Sequence, residues 1–208
     1  MSYKILSLKT KYRELYNNNN FVLLKNYFNR EEVDKLKSYS NDIQQNMNIN
    51  INKKLYYDNN IKTKNTYSYF LNKHKPLNDF IKYKLNPIIN NVYGKQVTLF
   101  NDTIYIYPEY CSGNNGTCDI LKYSNYKPKE YITVMLFNGN NTIEIAKDYT
   151  INNSDFNEFN TIKENILNWT SINCDSRDIL IFNSNLHYRI NNNKNNKIKS
   201  IFKFTYNK

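Results

Sequence analysis

The stretch Ser176-Arg177-Asp178-Ile179-Leu180-Ile181-Phe182-Asn183-Ser184-Asn185-Leu186-His187-Tyr188-Arg189, followed after a polar loop by Lys197 to Tyr206, decides the fold. Ile179 to Phe182 is a short apolar run between two polar turns, the pattern of a strand buried on both faces. Asn183-Ser184-Asn185 is a turn by composition. His187 stands at a strand end. The run from Lys197 to Tyr206 is rich in β-branched and aromatic residues and closes the chain as another strand.

Working outward, the period of the apolar residues changes at Gly94. Beyond it, strands are expected at 96–108, 130–138, 141–147, 171–174, 178–183 and 197–206, with the turn at Asn138-Gly139-Asn140 joining the second and third as a hairpin. A helical interlude is expected at 155–168, where Phe156, Phe159, Ile162, Ile166 and Leu167 share a face. Before Gly94 the period is helical. Phe21 to Leu24 is a short strand leading to Asn29-Arg30-Glu31-Glu32, an N-cap with Glu three residues on. The helix it starts runs to about Gln45 and turns Val33, Leu36, Ser40 and Ile43 to one side. Residues 46–65 read as a loop. Leu77 to Val92 reads as a second amphipathic helix, bent at Pro87 and ended by Gly94. Residues 1–19 end in the tract Asn17 to Asn20 and are expected to stay outside the core, which leaves one domain over 20–208. Helices followed by antiparallel strands define an α+β protein with a sandwich or small barrel.

Composition bounds the function. The 208 residues are 40% hydrophobic and 15% aromatic, and 20 Tyr with 11 Phe supply enough buriable area to exclude general disorder. No run approaches the ~20 apolar residues of a membrane span. The first ten residues lack a signal-peptide pattern, so a cytoplasmic location is expected. Cys111, Cys118 and Cys174 show no C-x-x-C spacing and read as reduced structural thiols. A net charge of +11 suits a polyanionic partner. The lysines are nevertheless spread along the whole chain, and 41 Asn beside a single Ala point to A/T-rich codon bias. Nucleic-acid binding is therefore the less favoured reading. Walker loops, G-x-S-x-G elbows and H-E-x-x-H helices do not occur.

In order and type these segments resemble the phytanoyl-CoA dioxygenase family. The 176–189 stretch is similar to its C-terminal signature of a Gly-Asp-like turn, apolar strand, His, polar loop and closing strand. Phe21 to Gln45 resembles its opening strand and E-E-V helix. Tyr131 to Phe137 and Asn141 to Ile145 resemble its paired core strands, with Ala146-Lys147-Asp148-Tyr149 at the position of its P-G-S-H turn. The resemblance implies a double-stranded β-helix, a jelly-roll or cupin-like barrel with flanking N-terminal helices. Its mouth would hold Fe(II) between two histidines and one carboxylate, leaving open positions for 2-oxoglutarate and oxygen.

Carried over residue by residue, the distal histidine matches His187, and the H-x-D motif falls on Gly116 to Leu121. Asp119 then matches the carboxylate, and Thr117 occupies the first histidine's place. The resemblance puts an oxoglutarate-anchoring Arg ten to twelve residues beyond the distal His. Here Lys197 and Lys199 stand near that place, with Arg189 as a closer substitute, and a lysine lacks the guanidinium's planar fork. His187 also has a plain reading as a strand-end histidine, and Asp119 as a turn residue. His74, before Lys75-Pro76 and without an H-x-D context, reads as a surface residue.

Threonine is a poor ligand for Fe(II), and even changes around a metal's direct ligands cost ~10 to 100-fold in affinity. The leading expectation is thus a divergent, oxygenase-like pseudoenzyme whose barrel has a binding or structural role and needs no cofactor. One alternative is an active hydroxylase using Fe(II) and 2-oxoglutarate at Asp119, His187 and a further group. Another is a basic module for nucleic acid or a similar polyanion.

Overall fold

A computed structural model describes residues 2–46, 65–68, 70–107, 114–117, 131–150, 168–191 and 197–207. The helices are α1 (Ser2–Asn19), α2 (Arg30–Asn46), α3 (Lys75–Phe80) and α4 (Asn86–Tyr93), with one π-helical turn at Ile81–Leu85. The strands are β1 (Phe21–Leu24), β2 (Asn65–Ser68), β3 (Thr98–Tyr107), β4 (Asn114–Thr117) and β5 (Tyr131–Asn138). They continue with β6 (Asn141–Thr150), β7 (Trp169–Cys174), β8 (Ile179–Asn183), β9 (Leu186–Ile190) and β10 (Lys199–Asn207).

The strands form two antiparallel sheets. The larger runs β1-β8-β5-β10-β3-β2 and the smaller β4-β9-β6-β7. Consecutive strands β5 and β6, and likewise β8 and β9, lie in different sheets, so the chain crosses between them repeatedly and winds a double-stranded β-helix. The α+β jelly-roll expected from the sequence is the observed architecture.

Period-2 alternation gives each sheet two faces. On β10, Phe202, Phe204 and Tyr206 join Ile104 and Ile106 of β3, Val134 and Leu136 of β5, and Ile179 and Ile181 of β8 beneath the helices. The intervening residues, Ile201 of β10, Tyr105 and Tyr107 of β3, Met135 and Phe137 of β5, and Leu180 and Phe182 of β8, face the smaller sheet. There they meet Ile143 and Ile145 of β6 and Leu186, Tyr188 and Ile190 of β9.

The helical layer follows its local signals. Glu32 N–H donates to Asn29 Oδ1 and Asn29 N–H donates to Glu32 Oε2, both at 2.9 Å, a complete capping box opening α2. The helix 75–93 widens into its π turn just before Pro87, whose ring cannot fit under the carbonyl four residues back. Gly94 ends α4 at φ 84°, and a Cβ there would lie 3.1 Å from Arg13 Cζ.

Several elements depart from the sequence reading. Residues 2–19, expected outside the core, form α1. Tyr16 is buried from it among the core residues, and Arg13 Nε donates to Asn91 O at 3.0 Å. His74 is no surface residue: its side chain is 11% exposed, its Nδ1 accepts from Leu77 N–H at the start of α3, and Tyr39 packs edge-on against it. Strands β2, β4 and β9 lie where loops or a strand end were expected. The interlude at 155–167, Cys111, Cys118 and Asp119 lie outside the described residues.

Asp178 ties the layers together. Its carboxylate, 0% exposed, accepts from Asp175 N–H at 2.9 Å, from Asn26 N–H at 3.0 Å and from Lys25 Nζ at 2.7 Å. It thus satisfies the β7–β8 turn and the β1–α2 connection at once, and Phe28 N–H donates to the adjacent Arg177 O. Removing it leaves buried donors unmade. Asp178→Ala should cost about 1–3 kcal/mol in urea unfolding, the range for leaving buried donors without an acceptor, with Asp178→Asn between it and the parent.

Candidate functional site: the barrel interior and its mouth

The strand ends define two poles. Thr117, Tyr131, Asn183, Leu186 and Asn207 lie toward one end, the mouth; Asn138, Asn141, Cys174, Ile190 and Lys199 lie toward the other. The register across the larger sheet places successive rows of interior-facing residues between them. Nearest the mouth stand Asn101, Thr205, Thr133 and Phe182, and Thr133 Oγ1 shares a 2.8 Å hydrogen bond with Ser184 Oγ. The next row is Thr103, Lys203, Met135 and Leu180, and the third is Tyr105, Ile201 and Phe137. The interior is thus polar toward the mouth and aromatic or aliphatic beyond it.

Lys203 is the charged member of these rows. It is 1% exposed, and its Nζ lies 5.5 Å from the centroid of the Tyr105 ring, a cation–π approach inside the barrel. The sequence reading did not single it out. Its signal was a lysine on the same phase as Ile201 and Thr205 in a strand whose other phase is Phe202, Phe204 and Tyr206.

The sequence-selected residues are spread over three places. His187 is 6% exposed, and burial lowers its pKa, so the neutral imidazole is favoured. On β9, Leu186, Tyr188 and Ile190 all pack into the interior cluster, and Tyr188 meets Phe182 edge to face at 5.2 Å. Strand alternation therefore places His187 on the opposite face, the one carrying Arg189 and the β6 partners Ala146 and Glu144. On that face Arg189 Nε donates to Glu144 Oε2 at 2.6 Å and its guanidinium stacks 4.4 Å above the Trp169 ring. Lys197 is exposed, and Lys199 lines a pocket at the far pole. Thr117 pairs through its backbone with Tyr188.

Ferrous iron needs imidazole and carboxylate groups converging on one point. Among the described side chains, the interior-facing positions of β3, β5, β8, β9, β10 and the part of β6 up to Ala146 carry no His, Asp or Glu, and no cluster of three His, Cys, Asp or Glu among the described residues can hold a metal ion. Asp102, the carboxylate on β3, faces the helical layer and accepts from Phe70 and Leu71 N–H at 2.6 and 3.1 Å. The described donor set does not fit iron. The polar groups on those interior positions are an ammonium, Lys203, and the threonines Thr103, Thr133 and Thr205.

No protein-family description and no curated protein matches the chain. Solved structures do. The chain is similar to SnoN, a non-heme alpha ketoglutarate dependent epimerase from nogalamycin biosynthesis, with a TM-score of 0.78 at 6% identity over 97% of this chain and 83% of that one. The carbocyclase SnoK from the same biosynthesis gives 0.77 at 9% identity, over 95% and 83%. EctD from S. alaskensis gives 0.73 at 8%, over 95% and 76%. The chain thus has the jelly-roll fold of iron- and 2-oxoglutarate-dependent oxygenases. Among the described residues, no helix is long and apolar enough to cross a membrane.

The outer-face ion pair supports a pH test. The hydrogen bond from Arg189 holds the Glu144 carboxyl below its usual range, with Ser171 Oγ donating to its other oxygen. A depressed folded-state pKa gives stability present above the unfolded value of about 4.3 and lost as pH falls through the folded one. Glu144→Gln should lower unfolding stability by about 1 kcal/mol at pH 7. In urea titrations that deficit should shrink steadily below the ordinary carboxylate pKa.

Proposed function

We propose that this protein is a divergent member of the 2-oxoglutarate oxygenase superfamily that binds a small dicarboxylate in its barrel without a complete iron site. The observation that carries the reading is the phase of β9, where Tyr188 takes the interior position and His187 the outer face. The interior then keeps a carboxylate-binding element and lacks the convergent imidazoles that an iron centre uses. Lys203 is that element. An ammonium supplies charge without a planar fork, so it recognises a carboxylate as a point partner, and Thr103, Thr133 and Thr205 offer hydroxyls on the same face. 2-Oxoglutarate is the first ligand to test, because neighbours of this fold bind it, as the EctD structure with 2-oxoglutarate and 5-hydroxyectoine does.

The competing reading is an active hydroxylase with iron held by Asp119, His187 and a further group. One set of measurements separates the two. After anaerobic loading with Fe(II) and desalting, the protein should retain well under one iron per chain by elemental analysis and should not decarboxylate 2-oxoglutarate. 2-Oxoglutarate alone should still raise its Tm. Lys203→Met should be at least as heat-stable as the parent, since a buried charge gives way to an apolar side chain of similar length, yet lose that ligand-induced rise. Stoichiometric iron with turnover would establish the hydroxylase, and an unchanged rise in Lys203→Met would remove Lys203 from the site.

A further inference from the structure

At the pole opposite the mouth, the turns between strands enclose a polar cavity of about 470 Å³. It lies between the β5–β6 turn at Asn140 and Asn141, the end of β7 at Asn173 to Asp175, the end of β9 at Asn191 and the start of β10 at Lys199. Its size falls within the range of small-molecule sites, but its lining does not follow their usual apolar make-up. Its described lining residues are amides, one hydroxyl, one thiol and charged groups, without an aromatic ring on which a nucleobase could stack.

The charges within it are unevenly committed. Lys25 is spent on Asp178 and on Asn173 O, at 2.7 and 2.8 Å. Asp175 Oδ1 accepts from Arg177 N–H at 2.7 Å, leaving its other oxygen to accept. Lys199 makes no ion pair with any described residue, and partial burial lowers its pKa without a neighbouring carboxylate among the causes. Among the described lining residues, Lys199 is therefore the cation without an ion-pair partner. The amides around it are held in place: Asn141 Nδ2 donates to Gly139 O at 2.9 Å and Thr142 Oγ1 to Asn173 Oδ1 at 3.0 Å. A fixed amide carries both donor and acceptor, the complement of a hydroxyl, which is also both.

We propose that this pole is a second binding site, for a small hydroxylated monocarboxylate of the sugar-acid class. The carboxylate pairs with Lys199, and the hydroxyls meet Asn140, Asn141, Asn173 and the free oxygen of Asp175. Lys199 offers one ammonium, and the Asp175 carboxylate in the same lining repels a second negative charge, so a monoanion is favoured over a phosphate dianion. The assignment is independent of the barrel interior, since no residue is shared between the two places.

The test is isothermal calorimetry on the full chain with glucuronate as probe, and with glucose and inorganic phosphate as comparators. Glucuronate should bind, and each comparator should bind about tenfold or more weakly, the equivalent of one charge-assisted hydrogen bond. Lys199→Gln should weaken glucuronate by a similar factor. Asn140→Asp, an exposed change on the rim that leaves the core untouched, should do so by repulsion. Lys82→Gln, an exposed lysine on the π-helical turn, should change nothing. Saturating 2-oxoglutarate should not displace the probe. Absence of glucuronate binding, equal binding of glucose or phosphate, equal weakening by Lys82→Gln, or displacement by 2-oxoglutarate would each overturn the proposal.

Discussion

The buried carboxylate of Asp178 sets the phase of everything that follows it. Two backbone N–H groups and one ammonium converge on it from the β7–β8 turn and the end of β1, so the residue after it must start β8 in one orientation only. Ile179 and Ile181 then point to the helices, and Leu180 and Phe182 to the smaller sheet. At the next turn Asn185 N–H donates to Asn183 Oδ1 and Ser184 N–H to Tyr131 O, which hands the chain to the smaller sheet in a fixed register. Leu186, Tyr188 and Ile190 inherit the interior from that register. A charge buried with all its partners supplied is a specifying device, and here it specifies which of two neighbouring residues, His187 or Tyr188, enters the barrel.

The architecture was legible because its signals are local and repeated. The capping box at Asn29 and Glu32, the glycine stop at Gly94 and the apolar strands β3, β5, β8 and β10 each announce themselves within a few residues, whereas the turn at Asn138-Gly139-Asn140, expected to close a hairpin, instead carries the chain from one sheet to the other. What was not legible is short or polar. Strand β4 consists of Asn114 to Thr117 and is held by pairing with β9 rather than by its own propensity. Over its described side chains, helix α1 is fastened by buried Tyr16, by Tyr12 packed against the same core, and by Arg13 reaching Asn91. None of these contacts can be read without the partner in place.

The site was less legible than the fold for a related reason. A motif match aligns residue types along the chain, but a strand delivers side chains by parity, and a shift of one position exchanges the faces. Lys199 and Lys203 differ by four residues and share parity, yet one lines a pocket at the far pole and the other sits among the threonines toward the mouth. Counting from His187 favoured the first. The alternation of Ile201, Lys203 and Thr205 against three aromatic neighbours favours the second, and a buried lysine needs a local reason to be there.

The same parity argument bears on whether a ligand could recruit His187 to the interior. Doing so requires β9 to slip by one residue, which would carry Leu186, Tyr188 and Ile190, none more than 2% exposed, out of the core. Burying one such side chain is worth roughly 1.5–3 kcal/mol, so the slip forfeits on the order of 5–9 kcal/mol. That is comparable with the entire stability of a domain of this kind, about 5–15 kcal/mol. The slip would also part Glu144 from Arg189, and Arg189 from the Trp169 ring. A metal would have to supply this energy from one added imidazole. The strand's phase thus keeps His187 out of the interior on energetic grounds.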